Sequence, residues 1–290
     1  MTALTGAGAI VLAEGEGGDP TPFLRTRKSR KFMGLQDDLA VVATARALAS
    51  AGLESCGERT GLFLAVGYIP FLEADIGPVL AASMTDDRFD VARFGAGGFQ
   101  KAHPLLTFRC LPNMPAYHVS VNFDVQGPYV VSYPGPAQLY AALDEACAAI
   151  VDGRIDVALV GGVAAQSNFL VRHHFARVSP PVESALLRDV CGMIVLESES
   201  HARARNAPIR ARLEALRIDY TPPDVLVASR PTIQRLDGEA IAAAEGLGPA
   251  HLPVALADRL ASTNSGALRH ALDSRDGVRA ESTWVFGATA

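Results

Sequence analysis

Gly192-Met193-Ile194-Val195-Leu196-Glu197-Ser198-Glu199-Ser200-His201-Ala202-Arg203-Ala204-Arg205 changes character in its middle. The segment Gly192–Glu197 is an apolar run, the pattern of a strand buried on both faces of a sheet. Ser198–Arg205 is polar and reads as a helix start. Ile155–Val160, closed by Gly161-Gly162, gives another buried strand, and Arg59–Val66 a further one. Ala137–Val151 predicts a helix, with Leu139, Leu143, Ala146 and Ile150 on one face. Gln36–Ala51 predicts a second, stopped by Gly52.

Outward from these, Ala7–Leu12 reads as a short buried strand. Tyr117–Phe123 and Tyr129–Tyr133 read as extended segments joined by the turn Gln126-Gly127-Pro128. Thr85–Gly98 reads as irregular, with Gly95, Gly97 and Gly98 marking a loop. Beyond residue 206, Ile209–Ile218 and Asp224–Ala228 suggest strands, Gly238–Glu245 and Gly266–Leu272 helices, and Ser282–Phe286 a last strand. Strands alternating with helices predict an α/β fold with helices covering the sheet faces.

At 290 residues the chain suffices for one large α/β domain or two fused halves. Its net charge of −5 disfavours nucleic acid as a partner. Cys56, Cys110, Cys147 and Cys191 form no C-x-x-C pair, so neither a zinc site nor a disulfide framework is expected. No cofactor or metal is expected. The apolar run Ala7–Ala13 is too short for a membrane helix and has no basic leader. A reduced, cytoplasmic protein without a membrane partner is therefore expected. His173-His174 reads as structural, and Asp37-Asp38 and Asp86-Asp87 as solvated charges. No G-x-S-x-G elbow, H-E-x-x-H or P-loop is present.

Four stretches, in this order, resemble the β-ketoacyl synthase family of the thiolase superfamily. Leu111-Pro112-Asn113-Met114-Pro115-Ala116-Tyr117-His118-Val119-Ser120, followed by Gly127-Pro128, is similar to the family's L-P-N-x-x-A-x-x-x-S helix start and its G-P. The strand and helix after Gly127-Pro128 fall where the family carries its nucleophile. Ile155–Gly162 resembles A-D-x-A-L-V-G-G, and Gly192–Arg205 resembles G-x-x-V-L-E-x-x-x-H-A-x-A-R. The resemblance implies a thiolase-like αβαβα layered fold of two related halves. Residues 1–206 form the first half, and residues 207–290 a truncated second one.

Family members condense acyl units with a cysteine thiolate and two histidines. The resemblance puts Pro136 at the cysteine position, Arg230 at the first histidine and Leu260 near the second. Proline suits the first turn of a helix but offers no nucleophile. Arginine stays protonated and cannot act as a general acid or base. His270 lies nearby and reads as a surface helix residue.

A ketosynthase homologue without its cysteine resembles a chain length factor, the silent half of a type II polyketide ketosynthase heterodimer, here most like the highly reducing, polyene-type subgroup. That likeness implies an active ketosynthase partner, an acyl carrier protein as transient partner, and an acyl tunnel across the interface. Candidate tunnel or interface residues are Leu106, Phe108, Met114, Tyr129, Val131, Tyr133, Pro134 and Gln138. The basic run Arg25, Arg27, Lys28, Arg30 and Lys31 reads either as a solvated loop or as a docking patch for the carrier protein. Two other classes stay open: a divergent thiolase-fold acyltransferase or malonyl-thioester decarboxylase, and a stand-alone acyl-binding scaffold.

Overall fold

The computed structural model describes residues 2–13, 18–222, 231–241, 244–262 and 265–287. In chain order its elements are β1 (Thr2–Leu12), α1 (Leu35–Ala51), β2 (Thr60–Val66), α2 (Glu73–Ala82), β3 (Met84–Thr85), β4 (Arg88–Phe89), α3 (Val91–Ala96), α4 (Leu106–Cys110), α5 (Met114–Phe123), β5 (Tyr129–Ser132) and α6 (Gln138–Val151). There follow β6 (Val157–Ala165), α7 (Phe169–Arg177), β7 (Asp189–Ser198), α8 (Glu199–Ala204), β8 (Ala211–Tyr220), β9 (Ile233–Leu236), β10 (Glu239–Ala240), α9 (His251–Ala261), β11 (Gly266–Asp273) and β12 (Val278–Phe286).

The long strands form one ten-stranded sheet in the order β10-β9-β11-β12-β8-β1-β7-β6-β2-β5. The N-terminal part is mixed: β2 runs parallel to β5 and β6, and β7 runs antiparallel to β6 and β1. Within the sheet, among the described residues, it joins the C-terminal part through the pairs Ala3–Arg212 and Leu4–Ala211 between β1 and β8. From β8 to β10 every pairing is antiparallel.

Side-chain alternation sorts the strands into layers. Leu62, Leu64, Leu159, Met193 and Val195 pack under α1 and α5. Phe63, Ala158, Val160, Ile194 and Leu196 face the other way, onto a core shared by α6, α9 and the inner face of the C-terminal strands. The resulting thiolase-like arrangement has α6 and α9 as its middle layer. The truncation of the second half shows on the outer face of β8, β11 and β12, where Arg217, Arg269, Arg279 and Glu281 are exposed. No helix packs on that face among the described residues.

Gly162 and Gly192 allow α9 its position. A Cβ on Gly162 would collide with the Pro249 carbonyl, and one on Gly192 would lie 2.7 Å from the Pro253 Cβ. Both glycines therefore sit inside strands as platforms for the start of α9. Gly161-Gly162 does not close its strand as expected: β6 continues to Ala165.

Several other expectations are corrected. Tyr117–Phe123 is helical, part of α5, with Pro115 in the first turn and His118, Val119 and Asn122 on the buried face. Its β-branched and aromatic residues resemble a strand locally, but the tertiary face selects a helix. Thr85–Gly98 contains the β3–β4 hairpin and α3, capped by the Asp90 carboxylate on the Ala92 and Arg93 N–H groups. Glu239–Ala240 is a strand rather than a helix start.

Gly266–Asp273 is strand β11, with Leu268, His270 and Leu272 buried and Arg269 exposed, which is a two-residue period. The helix α9 was not anticipated because Pro249 and Pro253 flank its start, where proline is tolerated. The strand expected at Asp224–Ala228 lies outside the described residues.

Candidate functional site

The candidate site is the seam where β5 runs into α6. Pro136 is half-buried in the turn before α6, and its carbonyl accepts from the Leu139 N–H at 3.4 Å. Ser132 Oγ donates to the Gln138 carbonyl at 3.0 Å and ties the strand end to the helix start. Helix α6 is then driven inward by Leu139, Tyr140, Ala142, Leu143 and Ala146. The seam keeps the geometry of a strand feeding a buried helix while carrying no nucleophile at its turn.

None of the four cysteines is an activated thiol. Burial pushes the thiols of Cys56, Cys110 and Cys147 up to about 11, and that of Cys191 further still. Each stays protonated at neutral pH, whereas a nucleophilic cysteine needs a lowered value.

The histidines follow the same pattern. Burial pushes His118 and His251 down to about 4 and, aided by His251, His270 down to about 3. His270 is buried in β11, not on a surface helix. Its Nδ1 pairs with the Tyr140 hydroxyl at 2.7 Å and its Nε2 with Gln234 at 2.9 Å. Tyr140 also reaches Ser282 Oγ at 3.2 Å, so this buried network fastens α6 to β9, β11 and β12. His173 and His174 are exposed on α7, and the His174 ring lies 4.4 Å from that of Tyr68.

Arg230 lies outside the described residues. Leu260 sits in the last turn of α9, partly buried against the central core. The Gly266-Ala267 stretch that follows it, matched to the same family motif, begins strand β11. The helix that starts against the seam is α9. The loop before it is held by Gln166 Nε2, which donates to the Glu245 and Gly246 carbonyls at 3.0 and 2.6 Å, and by the Arg275–Glu245 ion pair at 3.0 Å. No sequence motif flagged Gln166, Glu245 or Arg275, because each acts through distant partners.

The tunnel candidates do not converge on one cavity. Leu106 lines an apolar groove of about 440 Å³ with Phe71, Leu80, Phe94, Phe99 and Leu170. Phe108 is exposed and packs edge-on against Phe32, and Met114 is buried at the start of α5. Tyr129 and Tyr133 are 64% and 39% exposed, and Val131 packs partly into the core under α1. Pro134 and Gln138 are half-buried beside Pro136. Strand β5 itself is the last in the sheet, so its outer backbone edge pairs with no other strand among the described residues.

The basic run forms a 3-10 helix, Arg27–Phe32. Two of its cations are already engaged: Arg30 pairs with Asp38 at 2.7 Å, and Arg25 with Asp124 at 3.6 Å. Arg27, Lys28 and Lys31 project outward, with Lys31 over the Phe32 ring. Asp37 and Asp38 are not solvated as expected, being 2% and 5% exposed. Asp37 closes the first turn of α1 by accepting from the Gly34 N–H at 2.7 Å. Asp86 and Asp87 are exposed at positive φ in the β3–β4 turn.

Burial pushes the Asp38 carboxyl up to about 7 against the pull of Arg30. A raised carboxyl is protonated in the fold while still ionised in the unfolded chain, so its contribution is lost as pH rises from about 4 through 7. Asp38→Asn is therefore expected to gain on the order of 2 kcal/mol relative to the parent between pH 5 and pH 8. Urea unfolding at the two pH values checks this, and a constant difference would contradict it.

Residues 5–184 match the family model for the β-ketoacyl synthase N-terminal domain. This chain belongs to the β-ketoacyl synthase family. Nodulation protein E of Rhizobium leguminosarum bv. trifolii is 29% identical over 212 residues, which is 66% of this chain and 48% of that protein. The chain thus spans about half the length of this curated relative.

Among solved structures, the complex of a type II polyketide synthase acyl-carrier protein with its ketosynthase bound to the hexaketide superimposes with a TM-score of 0.74 at 14% identity, covering 99% of both chains. The ishigamide ketosynthase/chain length factor matches with a TM-score of 0.56 at 20% identity, over 76% of this chain and 63% of that one. A β-ketoacyl synthase from Burkholderia phymatum STM815 matches with a TM-score of 0.56 at 20% identity, over 78% and 66%. These likenesses establish the ketosynthase fold. No described helix is long and apolar enough to cross a membrane, and no described group of three or more His, Cys, Asp or Glu residues could hold a metal ion.

Proposed function

We propose that this chain is the non-catalytic, chain-length-factor-like subunit of a type II polyketide ketosynthase, of the highly reducing, polyene-making type. Its partner is an active ketosynthase that carries the cysteine and both histidines. The observation that supports this reading most is Pro136, which keeps the helix of a nucleophile site and leaves out the nucleophile, with every thiol of the chain held protonated. On this reading Arg230 stands at the first histidine position. Leu247, in the loop before α9, stands at the second, replacing Leu260.

The open edge of β5 is the surface for the partner, since an unpaired strand pairs readily with another of its kind. Tyr129 and Tyr133 flank that edge, and aromatic residues are enriched at such interfaces. Leu106 and its apolar groove wall off the growing chain, because an added two-carbon unit cannot enter space that a side chain fills. Arg27, Lys28 and Lys31 form the cationic face for an acidic acyl carrier protein, with Arg25 and Arg30 anchoring it to the body through Asp124 and Asp38. Such a subunit works in the cytoplasm.

Co-expression with ketosynthases of the same host tests the proposal. The expected result is a stable heterodimer that condenses acyl thioesters, with no turnover by this chain alone. Within that complex Leu106→Ala shifts products to longer chains, while Pro136→Cys restores no activity to the isolated chain. Condensation by the isolated parent or by Pro136→Cys, or unchanged product lengths in Leu106, Phe108 and Tyr133 variants, would refute it.

A further inference from the structure

We propose that the groove between α9 and the β9–β11 part of the sheet binds a neutral aliphatic ligand carrying a hydroxyl group. The groove encloses about 470 Å³, the size of a small-molecule pocket. Leu236, Leu247, Val254, Ala255 and Leu268 line it with apolar surface. Its described lining residues also carry two buried polar atoms without a hydrogen-bond partner, His251 Nδ1 and Arg259 Nε. His251 is only 7% exposed, and its Nδ1 has no hydrogen-bond partner. A buried ring nitrogen left unpaired is uncommon in folded proteins, and a ligand hydroxyl would satisfy it.

The charges around the groove select the head group. Burial pushes His251 down to about 4, so its ring is neutral and supplies no cation for an acid. Among the described residues Arg259 is the one cation in the lining, and it is partly engaged: its Nη2 donates to the Ser265 carbonyl at 3.1 Å and its guanidinium lies over the Phe286 ring. Its buried Nε has no partner, and Asp237 in the same lining offsets its charge. Asp258, which also lines the groove, repels an anion. A single bound water is a poor occupant, because it needs two to four polar partners and the walls offer mostly carbon. None of Leu106, Phe108, Tyr129, Val131 or Tyr133 lines this groove, so it is distinct from the tunnel proposed above, although through Leu247 it borders the proposed second histidine position. It also has a natural reporter, since the His251 ring lies 5.3 Å from that of His270 in the network that reaches Tyr140.

The test uses the full chain, 1-octanol as probe, calorimetry for affinity and imidazole NMR for location. Saturable binding is expected, with the His251 and His270 resonances shifting while those of exposed His173 and His174 stay. Octanoate binds about tenfold more weakly, because its carboxylate must be desolvated beside a neutral ring. Ala255→Phe, which fills the groove from the helix side, abolishes binding, and Ala255→Leu is the milder filling variant should the first disturb folding. His251→Leu weakens 1-octanol by about fivefold, the loss of one hydrogen bond. Leu106→Trp, in the other apolar groove, leaves the affinity unchanged.

A parallel titration with 3-hydroxyoctanoyl-N-acetylcysteamine separates sources. Binding of the thioester as well as the alcohol assigns a carrier-tethered chain, and binding of the alcohol alone a free lipid. No saturation up to the solubility of 1-octanol, equal affinity in both Ala255 variants, or octanoate binding as tightly as the alcohol would overturn the proposal.

Discussion

Arg205→Ala is expected to remove about 3–5 kcal/mol of stability, a large part of the roughly 5–15 kcal/mol that holds an ordinary domain. Its partner Glu197 is fully buried at the end of β7. The Glu197 carboxylate accepts from Arg205 Nε at 2.8 Å and from Arg205 Nη2, from the Thr5 hydroxyl, and pairs with His201 Nδ1 at 2.7 Å. Arg205 Nη2 also donates to the Ala51 carbonyl at 2.9 Å, so the guanidinium joins β7 to the end of α1, and Glu197 adds β1 through Thr5. Alanine leaves a carboxylate in the interior without its cation, and the penalty is that of an uncompensated buried charge.

The pH dependence separates this cause from lost packing. Burial pushes the Glu197 carboxyl up, and the hydrogen bonds from Arg205, Thr5 and His201 outweigh it, leaving the group below its ordinary value. The parent thus holds this contribution above the unfolded-state value near 4.5, and loses it as pH falls through the folded one. In Arg205→Ala the guanidinium is gone, burial dominates, and the loss deepens as pH rises above about 4.5. Urea unfolding at pH 4.5 and pH 7.5 should show the larger deficit at the higher pH. An equal deficit at both would mean the ion pair contributes little. Replacing Glu197 and Arg205 together by leucine should recover most of the loss.

Trp284→Ala is the second large effect, about 3–5 kcal/mol. Trp284 on β12 is completely buried and belongs to the same core as Tyr140 and Leu143 of α6 and Leu252 and Leu256 of α9. Its indole N–H donates to Ser282 Oγ at 3.1 Å, within reach of the Tyr140 hydroxyl. The C-terminal strands close this core from one side only, so a cavity here loosens their hold on the middle layer. Circular dichroism must follow the unfolding, because Trp284 is the chain's single tryptophan. Trp284→Phe keeps most of the ring and should retain the larger part of the stability; a cost equal to that of alanine would show that shape rather than volume decides.

How much of this was legible in the sequence depends on whether a segment's own residues or its distant neighbours decide its structure. β2, β6 and β7 are continuous apolar runs buried on both faces, and α1 and α6 carry clear helical periodicity, so these read directly. β11 misleads because Ala267, Leu268, Ala271 and Leu272 also suit a helix. Only the inward turn of His270, bonded to Tyr140 and Gln234, reveals the two-residue period. α9 hides behind its prolines, Pro249 and Pro253, so its start at His251 was not read. The helix after Pro136 was legible because Leu139, Leu143, Ala146 and Ile150 recur on one face. The Gln166 and Arg275 brackets before α9 were not, since each joins residues far apart in sequence.

The rim position of β5 bears on how this protein behaves when concentrated. Amide and carbonyl groups that face outward with no mate will accept any extended segment of suitable register, including one from a second molecule of the same chain. At high concentration that rim would favour self-association and precipitation, a liability written into the polypeptide's own backbone.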